Sequence, residues 1–273
     1  MLDMIFIGML FLLFYLFMLT PRMTKRSRMK PFLGTMWAHR GLHCIEKGIP
    51  ENSMAAFRMA VKKGYGIELD VHMTRDKKVV VFHDDTLKRV CGKKGTVEET
   101  DWEELKKCYL SKTSERMPLF SEVLAYVNGR VPLLIEIKQP SQDTQVCALL
   151  AKQLEGYQGA YLVQSFNCLA LRWLKKNRPG ILRGQLSSDL VKSDRSPHYF
   201  LRFCVKYLLS NCYSKPDFVS YKLKDSRNIS LWLLKYLFHT PIAVWTLKTH
   251  GELTKARSSY DMYIFERIKE LCE

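Results

Sequence analysis

The sequence predicts an α/β fold: a (β/α)8 TIM barrel with a small inserted subdomain, preceded by one N-terminal transmembrane helix. Three observations predict it. Short apolar runs alternate with helix-like stretches through most of the 273 residues, which implies a parallel sheet with helices outside it. Ionisable residues stand at the ends of several of these runs, and a barrel brings its strand ends to one shared mouth. Residues 1 to 19 are almost wholly apolar, with Asp3 the only charge, a length just sufficient to cross a bilayer.

Residues 1–20 are therefore expected to be a membrane anchor, and 21–34 a basic linker. Arg22, Lys25, Arg26, Arg28 and Lys30 follow the apolar run directly. A secretory signal carries its charge before the apolar segment and a small-residue cleavage site after it, and this segment has neither. The positive-inside rule then expects a single-pass membrane protein with residues 35–273, the barrel, on the cytoplasmic face.

Nine runs read as strands: Thr35–His39, Gly66–Val71, Lys78–His83, Pro132–Lys138, Ala160–Ser165, Ile181–Leu186, Asp217–Tyr221, Pro241–Leu247 and Asp261–Phe265. Nine is one too many for the barrel. The link from Val71 to Val79 is too short for a parallel crossover, so the Lys78–His83 run is expected to fold back as a hairpin arm. Asn52-Ser53 is expected to cap a helix carrying Ala56, Phe57 and Ala60. Further helices are expected over Pro118–Asn128, Gln142–Leu154 and Leu169–Lys176. Residues 84–117, polar and turn-rich, read as the inserted subdomain. Residues 196–213 read as a helix with a large apolar side, suited either to a membrane surface or to the outside of the barrel.

The net charge of +16 implies an anionic partner: nucleic acid, an acidic membrane or a phosphate-bearing substrate. There is no zinc-finger spacing, RNA-binding signature or P-loop, so no nucleic acid is expected. The eight cysteines include no Cys-x-x-Cys pair and read as free thiols in a reducing compartment.

Glu68 and Asp70 are two apart on one strand, as are Glu136 and Lys138 on another, so each pair shares a face. Three carboxylates meeting from two strands suit one Ca²⁺ or Mg²⁺. His39 and His83, each at a strand end, suit acid–base work near neutral pH. Arg40 and Lys138 supply positive charge for an anion. Together these groups describe the cleavage of a phosphate ester. His72 shares a face with Asp70 and is expected at the rim. Phe166 and Trp245 either line the mouth or pack in the barrel.

On these motifs the chain resembles the glycerophosphodiester phosphodiesterase family. The matching pieces are Ala38-His39-Arg40-Gly41, Pro50-Glu51-Asn52-Ser53, Ala56-Phe57, Glu68-Leu69-Asp70-Val71, Thr74-Arg75-Asp76, Val81-Phe82-His83-Asp84, Leu87-Lys88-Arg89, Glu136-Ile137-Lys138, Gln164-Ser165-Phe166 and Val244-Trp245-Thr246. The resemblance implies a TIM barrel and metal-dependent hydrolysis of glycerophosphodiesters to an alcohol and glycerol 3-phosphate; the expected anchor, which would hold the site near a membrane, favours lysophospholipids as further substrates there. It implies that Glu68, Asp70 and Glu136 ligate the metal, that His39 and His83 are the acid–base pair, and that Arg40 and Lys138 hold the phosphate. Glu51 is implied as a site-orienting residue near His39 and the metal, and Asn52 as a helix cap. Near its end the chain departs from the family, with Tyr263 standing where a glycine is usual. A phospholipase of C or D type and a non-catalytic phospholipid-binding barrel are the alternatives.

Overall fold

The computed structural model describes residues 2–24, 26–138, 142–193 and 198–268. In chain order its elements are α1 (Leu2–Leu19), β1 (Met36–Ala38), α2 (Met54–Lys63), β2 (Gly66–Met73), β3 (Val79–Val81), α3 (Lys88–Cys91), α4 (Trp102–Leu105) and α5 (Phe120–Val127). Then come β4 (Leu133–Ile137), α6 (Gln145–Leu154), β5 (Tyr161–Ser165), α7 (Cys168–Asn177), β6 (Arg183–Ser187), α8 (Leu190–Ser193), α9 (Tyr199–Lys206) and α10 (Asn211–Ser214). The last are β7 (Phe218–Lys222), α11 (Ile229–Tyr236), β8 (Ile242–Leu247), α12 (His250–Arg257) and β9 (Met262–Phe265).

Eight parallel strands close a barrel in the order β1-β2-β4-β5-β6-β7-β8-β9, with β9 returning to β1. The ninth, β3, runs antiparallel to the end of β2, pairing Val71 with Val81 and Met73 with Val79. It is the hairpin arm that the short Val71–Val79 link requires. Its outer side carries a small core of its own, Val80, Phe82, Leu87, Val90, Val97, Leu105, Leu110 and Met117, drawn from residues 80–117.

The period-two alternation of strands sorts each strand into an outer and an inner row. Ile67, Leu69 and Val71 of β2 and Leu133, Ile135 and Ile137 of β4 face outward, into the main core with Phe57, Val123, Leu150 and Leu171 of the helices. The inner row is mostly apolar near the N-terminal ends of the strands. There Trp37, Leu134, Leu162, Leu182, Phe218, Ala243, Met262 and Ile264 fill the barrel. A 3-10 helix over Arg26–Phe32 closes this end and adds Met29 and Phe32 to the same cluster. Further along the inner rows stand Glu68, Asp70, Glu136 and Gln164, all buried. The barrel thus has an apolar floor and an ionisable mouth.

Gly184 belongs to that interior. A Cβ there would strike the Phe218 ring of the neighbouring strand. Gly184→Ala is expected to destabilise the fold by about 1–3 kcal/mol, the usual cost of overpacking a core. Thermal unfolding measures it; an unchanged midpoint would mean that the barrel interior can relax.

The expected membrane-spanning helix is corrected. Among the described residues, no helix is long and apolar enough to cross a membrane. The 18 residues of α1 rise about 27 Å, and the last turns are held by the barrel. Tyr15 Oη meets Ser230 Oγ at 2.7 Å, and Asn211 Nδ2 donates to the carbonyl of Leu19, which is fully buried. Asp3 to Phe14 is exposed. The basic flank is not free either: Arg22 reaches Asp217 and the carbonyl of Pro179, and Arg28 donates to the carbonyl of Gly180. Lys25, residues 196–197 of the expected 196–213 helix, and Cys272 lie outside the described residues. Seven cysteines are free thiols among the described residues.

Candidate active site

The site is assembled from five strand ends and two loops. Asp70 on β2 is the direct register partner of Glu136 on β4, so the two inward carboxylates meet across one rung. Glu68 lies two residues below Asp70. One oxygen from each of the three lies within 4.8 Å of the other two, and all three residues are buried. Burial pushes the Glu68 carboxyl well above the usual carboxylate range, with Asp70 and Glu136 adding repulsion. Glu136 is raised too, chiefly by burial. Burial would raise Asp70 as well, but Lys138, His83 and Arg40 hold it well below its ordinary value.

Two cations face three carboxylates. Lys138 Nζ stands 2.6 Å from Glu136 Oε1 and 3.2 Å from Asp70 Oδ1. Arg40 Nε lies 3.7 Å from Asp70 Oδ2. Those distances and the raised carboxyls describe a cluster one cation short of balance. Three hard oxygen donors so disposed fit a divalent cation of the Ca²⁺ or Mg²⁺ kind.

The turn after β1 delivers the next groups. Arg40 has a left-handed backbone, φ 55°, and Gly41 follows at φ 78°. A Cβ at Gly41 would stand 2.8 Å from that of Ala56, so only glycine fits. The turn aims the Arg40 backbone N–H at Glu68 Oε2, 2.9 Å away, and its guanidinium at Glu51 Oε1, 2.8 Å away. Glu51 is also held by Arg89 at 2.6 and 3.0 Å, and despite its burial these two arginines lower its pKa to about 2. Glu51 therefore orients Arg40.

Asn52 is not the cap that the sequence suggested. Ser53 caps α2, accepting from the Ala56 N–H. Asn52, at φ 52°, donates from Nδ2 to Asp70 Oδ2 at 2.8 Å. His72 is fully buried rather than at the rim, with Nε2 3.3 Å from the His83 carbonyl. It supports the backbone of that histidine, and burial lowers its own pKa to about 4.

Each catalytic candidate imidazole has a carboxylate behind it. His39 Nδ1 meets Glu266 Oε2 at 3.1 Å, and His83 Nδ1 meets Asp84 Oδ1 at 2.6 Å. These contacts leave Nε2 of each ring as the atom for proton transfer. Burial lowers both histidine pKa values, opposed by Glu266 at His39 and by Asp70 at His83. Glu266 escaped the sequence reading. It ends the β9 run as His39 ends the β1 run, and that shared rule is the signal for it. Its bond to His39 holds its own pKa at about 2. His43 Nε2 stands 3.9 Å from the other Glu266 oxygen.

A pocket of about 240 Å³ is lined by His39, Arg40, Glu68, His83, Glu136 and Lys138, with Phe166, Leu186, Trp245 and Ile264 as apolar wall. It shares His83, Glu136, Lys138 and Phe166 with an outer cleft of about 440 Å³. Phe166 and Trp245 meet edge to face, ring centres 6.0 Å apart, and so line the mouth. Tyr263 packs in the outer core, and Ile264 is the β9 residue of the pocket wall.

A model of the glycerophosphoryl diester phosphodiesterase family matches residues 39–234. A glycerophosphodiester phosphodiesterase of Bacillus altitudinis is 33% identical over 168 residues, 57% of this chain and 67% of that protein. The human lysophospholipase D GDPD1 is 33% identical over 138 residues, 45% of this chain and 42% of that protein. Among solved structures, an Oleispira antarctica phosphodiesterase in complex with the product sn-glycerol-3-phosphate aligns with TM-score 0.69 and 21% identity, over 86% of this chain and 93% of that one. A putative glycerophosphodiester phosphodiesterase from Galdieria sulphuraria aligns at 0.71 and 17%, over 88% and 96%. At these identities the structures support the fold alone.

Proposed function

The chain belongs to the glycerophosphoryl diester phosphodiesterase family and is a phosphoric diester hydrolase, and from that premise we propose that it hydrolyses glycerophosphodiesters to an alcohol and a glycerol phosphate, and lysophospholipids to an alcohol and an acylglycerol phosphate. One observation carries the reading: Glu68 and Glu136 of the buried carboxylate trio line one pocket with two carboxylate-backed histidines, Arg40 and Lys138. Glu68, Asp70 and Glu136 would hold Ca²⁺ or Mg²⁺, which when bound supplies positive charge to the phosphoryl oxygens. Arg40 and Lys138 orient the phosphodiester and offset its charge. One histidine takes a proton from the attacking oxygen, of water or of the glycerol 2-hydroxyl. As the bond from phosphorus to the departing alcohol breaks, the other gives that alkoxide a proton. If the 2-hydroxyl attacks, water opens the cyclic phosphate in a second step. The apolar wall of Phe166, Leu186 and Trp245 supports a lipidic substrate, and the charge of +16 supports work at the inner face of a membrane.

The test is hydrolysis of glycerophosphocholine and lysophosphatidylcholine by the full chain with Ca²⁺, Mg²⁺ or EDTA. Metal-dependent choline release is expected. Absence of turnover with either substrate under every metal sinks the substrate assignment.

Glu266→Gln tests the His39 contact separately. Glu266 raises the His39 pKa, so its loss lowers that pKa further. Whichever limb of the pH–rate profile His39 sets is expected to move to lower pH, with kcat down about tenfold or more. A slower enzyme with an unmoved profile would mean that Glu266 only packs.

A further inference from the structure

The barrel gives α1 a direction. The Arg22 backbone N–H bonds to the Pro216 carbonyl, and its side chain reaches Asp217. Both partners precede β7, at the closed end. Tyr15 meets Ser230, in the first turn of α11, which begins beyond the C-terminal end of β7. Between these anchors the chain climbs from the floor to the mouth end. Asp3 to Phe14 continues past it, exposed throughout, with Met4 78% and Phe11 71% exposed.

Two more apolar faces lie at the same end. The C-terminal turn of α9 is held there, since the Val205 carbonyl accepts from Ser187 Oγ and the Lys206 carbonyl from Tyr221 Oη and Asn228 Nδ2. Its Tyr199, Phe200 and Leu201 are exposed, as are Ile229 and Trp232 in the first turns of α11. Between α9 and α11 opens a cleft of about 350 Å³, lined by Lys192, Lys206, Lys224 and Arg227 against Asp189 and Asp225. Four cations against two carboxylates leave it positive.

An exposed apolar area of this extent marks an interaction surface. A helix apolar on all sides is satisfied by surroundings that wrap it, as acyl chains do. Tyrosine and tryptophan at an apolar boundary with lysine and arginine beside them suit an anionic bilayer interface. We propose that α1, α9, α11 and the basic cleft form one docking face for an anionic phospholipid surface, seating the barrel with its mouth turned toward the lipid. This deepens the reading above by giving a lipidic substrate its route to the pocket.

The test uses the full chain with vesicles of phosphatidylcholine, with and without 30% phosphatidylglycerol, and the same lipids brominated on their acyl chains. Binding is expected to need the anionic lipid and to fall with salt. K224Q/R227Q should weaken it roughly 30-fold, two basic contacts being lost. F200D/L201D should abolish it. W232F should leave binding intact but remove quenching by the brominated chains. Turnover of glycerophosphocholine without vesicles should be the same in all three variants, and its absence from the wild type would count against the catalytic reading alone. Undiminished binding by both charge-changed variants, quenching unaltered in W232F, or lipid-independent dimerisation through this face would each overturn the proposal.

Discussion

Asp70→Asn is expected to lower kcat/KM about 10³-fold. Asp70 joins the charged groups at the centre of the site: Lys138 at 3.2 Å, Arg40 at 3.7 Å, Asn52 at 2.8 Å and the carboxylates of Glu68 and Glu136. An amide keeps the shape but removes one charge from the oxygens that would hold the cation, and charge stabilisation at a developing phosphoryl transition state is worth several kcal/mol. EDTA should depress the wild type to a similar level. Stability should respond in the opposite sense at the neighbouring position. Glu68 has a raised carboxyl pKa, so above about pH 4.5 the folded chain holds a proton that the unfolded chain releases, and stability falls as pH rises through that window. In EDTA at neutral pH, Glu68→Gln should therefore unfold at a higher temperature than wild type while being inactive. A destabilised Glu68→Gln would mean that the carboxylate is fully compensated without a metal.

His39→Ala is expected to cost 10²- to 10⁴-fold in kcat, the usual worth of a positioned acid or base. The three carboxylates are untouched by this change, so calorimetric titration with Ca²⁺ or Mg²⁺ should give an unchanged affinity. His83→Ala should fall in the same range. The two differ in their backing: Asp84 is shared with Arg89 at 2.6 and 2.8 Å, whereas among the described residues Glu266 has the more distant Lys248, Arg267 and His43 besides His39. A loss of less than tenfold in either variant would remove that histidine from proton transfer. A loss of metal affinity in His39→Ala would move it into the cation site.

Much of this was legible in the sequence, for a physical reason. A barrel strand writes its outer row as alternate aliphatics and its inner row as whatever the mouth needs, so Glu68-Leu69-Asp70 and Glu136-Ile137-Lys138 carry fold and site in the same residues. What escaped depends on contacts between distant segments. Asn52 looks like a cap by its place before a helix, but a left-handed backbone turns it to Asp70 instead. His72 follows Asp70 by two and should reach the rim, yet β3 folds over it and buries it. The length of an apolar run says nothing of what its last turns lean on, and α1 leans on α10 and α11.

The floor of the barrel sets where the chain can be shortened. An apolar leader is ordinarily trimmed at the first charged residues to obtain a soluble enzyme. Here Met29 and Phe32, 2% and 5% exposed, are inside the barrel cluster with Trp37 and Phe218. A cut after Phe32 would uncork the closed end and expose that cluster to water. A cut near residue 14 would remove the exposed apolar length and keep the plug, along with the Tyr15, Leu19, Arg22 and Arg28 contacts that hold it.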